Sequence, residues 1–176
     1  MAGRQDRCRR PARPSSLRVV PSWQDVQAAA PDLAGRVEQQ FEATLHKVMA
    51  TLRADGSPRV SGTEAKFRNG DLWLGSMLEA MKARDLQRDP RVALHSAPVD
   101  PEMRGGDAKI AGRAIEVVEA DVIASFADDQ EAEIGPYHLF RIDVTEIVLT
   151  TVDQERQLLI VESWNTARGL RRTERA

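Results

Sequence analysis

Phe140, Ile142 and Val144 alternate with Arg141, Asp143 and Thr145, the period of a strand with one buried face. Further strands are predicted over His46–Arg53, Pro58–Phe67, Leu72–Met77, Arg91–Ser96 and Ala108–Val118, and a last one over Gln157–Trp164. Turn chemistry separates the first three. Ala54-Asp55-Gly56-Ser57 is a hairpin turn in which Gly56 supplies positive φ. Asn69-Gly70 is a type I′ hairpin signal. Gly75 falls inside the third strand.

Helical signals are fewer. Ser22 followed by Asp25 offers a capping box for a short helix over Trp23–Ala30. Pro31 can open a second, with Leu33, Val37 and Phe41 spaced to share one face. Glu79–Gln87 reads as a helix ended by Arg88, Asp89 and Pro90, since proline cannot continue it. Val99–Asp107, with a proline and two glycines, reads as a mobile loop. Asp121–Glu133 is expected to be a helix with a solvated acidic end. Six or seven strands joined by hairpin turns predict a mainly β fold, a small closed antiparallel barrel with a few short peripheral helices.

A chain of 176 residues suits one domain. Its 41% hydrophobic and 30% charged residues are ordinary for a globular protein. No apolar run approaches the roughly 18–20 residues of a membrane helix. The single cysteine, Cys8, excludes an intrachain disulfide and fits a cytoplasmic location. The net charge of −2 predicts no global attraction to nucleic acid. Six arginines nevertheless crowd residues 1–18 among prolines and serines. Residues 1–21 therefore read as a disordered basic arm, 22–165 as the barrel domain, and 166–176 as a loose basic tail. His46, His95 and His138 have no i,i+4 pairing and no cysteine partner, so no metal site is expected. There is no Gly-x-Ser-x-Gly elbow, P-loop or Gly-x-Gly-x-x-Gly motif.

The order of strands, turns and short basic helix from Ala50 to Leu94, with glycines and small polar residues on the second and third strands, resembles the flavin-binding split-barrel family. That family includes pyridoxamine 5'-phosphate oxidase and its deazaflavin (F420) relatives. The resemblance implies a split β-barrel and an oxidoreductase that moves a hydride between FMN or F420 and a small molecule. It implies cofactor contacts from Arg59, Val60, Ser61 and Gly62 on the second strand, Gly75, Ser76 and Met77 on the third, and Lys82 in the helix. Asp107 and Ala108, opening the fifth strand, would reach a partner subunit's cofactor.

Physical chemistry supports several of these expectations. Gly62 and Gly75 lack Cβ and let a planar ring approach the backbone. Arg59 and Lys82 can supply charge for a phosphate, arginine as a bidentate fork. A barrel this narrow has room only for its own side chains, so a tricyclic ring must lie outside it. A second subunit closing over that surface predicts a homodimer with the cofactor at the interface. Because a redox cofactor carries the hydride, no catalytic side-chain motif is required.

The sequence also departs from the family. Its phosphate-binding helix often reads Ser-Arg-Lys, here Ala80-Met81-Lys82, and Glu64 stands where the oxidase has a lysine. An acid there opposes a dianion. No match to the oxidase's substrate-phosphate contacts is found, so pyridoxamine phosphate oxidation itself is not expected. The alternative is a split barrel that binds a cofactor, haem or tetrapyrrole without turnover.

Overall fold

The computed structural model describes residues 21–97, 103, 105–126 and 136–176. The basic arm over residues 1–20, most of the Val99–Asp107 loop and the acidic stretch Asp128–Glu133 lie outside the described residues.

Eight antiparallel strands follow the order β3-β2-β1-β4-β5-β6-β7-β8. They are β1 (His46–Leu52), β2 (Pro58–Arg68), β3 (Asp71–Met77), β4 (Arg91–His95), β5 (Asp107–Val117), β6 (Tyr137–Asp153), β7 (Leu158–Asn165) and β8 (Gly169–Arg175). Pairing of β3 with β6 closes the first six into a barrel. The turns behave as the sequence predicts: Asn69 and Gly70 both have positive φ, at 54° and 77°, as a type I′ turn requires.

One strand does two jobs. The alternation at Phe140–Thr145 predicts a short element, yet β6 runs 17 residues. Ala111 pairs with Glu146 and Gly112 with Val144, leaving Thr145 as the extra residue of a bulge. The bulge reverses which side chains point inward. Beyond it β6 leaves the barrel seam and pairs with β7 as well. Gly112 permits this close approach, because a Cβ there would lie 2.4 Å from the Asp143 carbonyl oxygen.

The last segment corrects the expected loose tail. Asn165 Oδ1 accepts from the backbone N–H groups of Ala167 and Arg168, Gly169 takes φ 66°, and the chain returns as β8 along β7. Backbone pairing orders a segment whose side chains are nearly all exposed.

Helices stopper the two ends of the barrel. Ser22 caps α1 (Trp23–Ala29) through a reciprocal box with Asp25, and Pro31 opens α2 (Pro31–Glu42). Leu33, Ala34, Val37 and Phe41 form the buried face of α2. Phe67 of β2 meets Trp23 at 4.6 Å and Phe41 edge-on at 6.1 Å between ring centroids. At the other end, α3 (Met81–Arg88) buries Ala83 and Leu86. It begins two residues later than the sequence suggests, because Glu79 adopts φ 65° and turns the chain ahead of it. The short α4 (Ala120–Phe126) packs outside, on Trp73. No helix among the described residues is long and apolar enough to cross a membrane.

Candidate functional site

A cavity of about 320 Å³ opens on the outer surface between β2, β3, α3 and α4. Strand period places Gly62, Glu64 and Lys66 on one face of β2, and all three line it. Gly75, Ser76 and Met77 contribute from β3, and Lys82 reaches in from α3. His46, the register partner of Glu64, closes the rim on the β1 side. An aromatic wall of Trp73, Phe126 and Tyr137, with Leu139, forms the far side.

That wall is built from side chains of three separate elements. Phe126 packs on Trp73 with centroids 4.5 Å apart, and the Arg68 guanidinium lies 4.6 Å from the Phe126 ring centroid. Trp73 Nε1 donates to the Arg68 carbonyl at 3.0 Å, and Tyr137 Oη donates to the Ile123 carbonyl at 3.3 Å. These contacts hold α4 against the barrel.

Two features of the lining call for a ligand with a flat face and polar edges. A Cβ built on Gly62 or Gly75 meets nothing within 4 Å, so both glycines leave bare backbone facing open space. Ser76, between Gly75 and Met77, turns its side chain to the opposite, buried face of β3, so its Oγ is not presented to the cavity. Lys82 Nζ donates to the Gly62 carbonyl at 2.7 Å, which brings its charge to the same rim. Burial pushes its pKa down, against the opposing pull of the Glu64 carboxylate. A planar, conjugated ring with an anionic tail fits this donor set.

The remaining expected contacts fall elsewhere. Arg59 points to the other face of β2, where its Nε donates to Asp85 Oδ2 at 2.6 Å. Asp85 also accepts from Thr51 Oγ1 at 2.9 Å and from an Arg88 nitrogen at 3.1 Å. Burial alone would raise the pKa of this carboxyl, but the bonds from Arg59, Arg88 and Thr51 outweigh it and hold the group below its usual range. In this single chain Arg59 thus fastens α3 to the barrel, and its guanidinium does not line the cavity. Ser61 shares Arg59's face. Val60 lies on Gly62's side but outside the cavity, 71% exposed. Asp107 sits on β5 with its carboxylate 3.0 Å from His95 Nε2 and 3.1 Å from Lys109 Nζ. Ala108 is fully buried.

No local pattern announces the aromatic wall or His46, Thr63 and Lys66, which also line the cavity. Alternation along β2 could have indicated Lys66, two residues beyond Glu64. Among the described residues no group of three or more His, Cys, Asp or Glu side chains could hold a metal ion.

A family profile described as Pyridoxamine 5'-phosphate oxidase matches residues 34–151. No curated protein matches in sequence. Among solved structures, PhzG from Burkholderia lata 383, in complex with tetrahydrophenazine-1-carboxylic acid, superposes with a TM-score of 0.60 and 11% identity, covering 88% of this chain and 93% of that one. General Stress Protein 26 from Bacillus anthracis str. Sterne gives 0.53 and 16%, over 65% of this chain and 91% of that one. A protein related to general stress protein 26, from Clostridium acetobutylicum, gives 0.53 and 10%, over 78% and 89%. At such identities the likeness is one of fold.

Proposed function

We propose, from the premise that this chain belongs to the pyridoxamine 5'-phosphate oxidase family, that it is an oxidoreductase holding FMN or F420 in the cavity beside Gly62 and Gly75. The observation that carries this reading is the conjunction of two Cβ-free strand positions and the Lys82 ammonium around one space. A bound flavin or deazaflavin supplies the hydride chemistry. The chain's residues do the rest. Gly62 and Gly75 let a ring lie on backbone, and Lys82 neutralises part of an anionic tail. Trp73, Phe126 and Leu139 keep water from the far side, which strengthens every polar contact within.

The second subunit is part of the proposal. Val60 lies beside Ala50 and Val48 beside Gly62 in register, and Ala50 leads through Ala93 to Ala111 across β4 and β5. Val60 and Val48 are exposed. This apolar strip adjoins the cavity rim at Gly62, so a second copy seated on it would cover the open side.

Titration of the full chain with FMN and with F420, followed by sedimentation and by anaerobic reduction of the bound cofactor, tests the reading. The expected outcome is saturable binding of at least one cofactor by a dimer, with reversible bleaching of its absorption. Binding without redox cycling would support a non-catalytic carrier instead. Absence of binding to either would remove the proposal.

A further inference from the structure

We infer that Glu64 tunes the cofactor site by charge, opposing the second negative charge of a terminal phosphomonoester. The inference rests on the reading that the tail lies by Lys82.

Position carries the argument. Glu64 follows Gly62 by two residues on the same face of β2, a step of roughly 7 Å along a strand. Lys82 Nζ is held at the Gly62 carbonyl. Any tail phosphate that reaches Lys82 therefore comes within one strand step of the Glu64 carboxylate. Both residues line the same cavity. The groups that face Glu64 there are His46, its cross-strand partner, Lys66, its neighbour along β2, and Lys82. The lysines favour an anion, but the carboxylate in their midst cancels part of that field. Its pull on the Lys82 proton indicates that the two charges sense each other.

Phosphate chemistry turns this into selectivity. A monoester has a second pKa near 6, so it carries between one and two negative charges at neutral pH. A diester carries one. The additional charge is repelled by Glu64 across the cavity, where a bound ring and a second copy would reduce screening by water. FMN ends in a monoester, and riboflavin has the same ring and no phosphate. Between these two only the tail can decide.

The test is equilibrium titration of the full chain and of Glu64→Gln with FMN, riboflavin and F420. Glu64→Gln should strengthen FMN binding by roughly tenfold and change riboflavin less than about twofold. Glu64→Lys should extend the gain for FMN. Because Glu64 is exposed on its strand, both variants are expected to fold, and the FMN-to-riboflavin affinity ratio cancels any general loss of competent protein. An unchanged ratio in Glu64→Gln, with FMN still bound, would overturn the charge filter while leaving the cofactor site standing. Failure of all three compounds to bind the unaltered chain would overturn both.

Discussion

Gly75→Leu is expected to abolish cofactor binding while leaving the barrel folded. Gly75 is exposed on β3, opposite Leu139 of β6. Its φ is not in the left-handed region, and a Cβ there enters open space. Leucine can therefore be accommodated by the backbone, and its side chain can only occupy the cavity. A ring that needs bare backbone is displaced, with an expected loss of more than about 100-fold in affinity, equivalent to roughly 3 kcal/mol. Substitution at an exposed site changes stability by about 0.5 kcal/mol or less, so the melting temperature should move by no more than about 2 °C. Calorimetric titration beside a thermal melt separates the two effects. Full-strength binding by the variant would mean that the ring lies elsewhere.

The second large effect concerns stability. Asp85 is buried, and it gathers donors from β1, β2 and α3. Asp85→Ala removes the acceptor and strands the Arg59 guanidinium and the Thr51 hydroxyl against the barrel. Removing one partner of a buried ion pair costs about 3–5 kcal/mol, because the surviving charge has lost its compensation. For a chain of this size the melting temperature should fall by roughly 10 °C. The pH dependence has a definite sign. The carboxyl's pKa is held below its ordinary value when folded. Its contribution is therefore complete above the unfolded pKa and disappears as pH falls through the folded one. Asp85→Asn should flatten that acid limb in melts between pH 7 and pH 3. An unchanged acid limb, or a melting temperature within 2 °C of the parent for Asp85→Ala, would contradict this role.

Local signals carried most of the barrel. Asn69-Gly70 announces its turn because both residues tolerate positive φ, and Ser22 with Asp25 announces a helix start by chemistry confined to four residues. The β6 bulge was not legible. Thr145 is an ordinary strand residue, and only its pairing with β5 makes it the extra one. β8 is not legible in the sequence because Arg171, Arg172, Thr173, Glu174 and Arg175 show no apolar alternation; its order comes from the backbone of β7.

The site divides in the same way. Residue type and order point to Gly62, Gly75, Ser76, Met77 and Lys82, and all five are among the cavity's lining residues. Arg59 has a type suited to an anion, but its partner Asp85 lies 26 residues away. Nothing local says that it turns inward. The aromatic wall unites Trp73, Phe126 and Tyr137 from β3, α4 and β6, a convergence that no short motif encodes.

The most direct measurement is a crystal structure of the chain loaded with the cofactor that binds it. The ring should lie across Gly62 and Gly75, with Lys82 at the tail and a second copy over Val60. A ring bound away from these glycines would contradict the account.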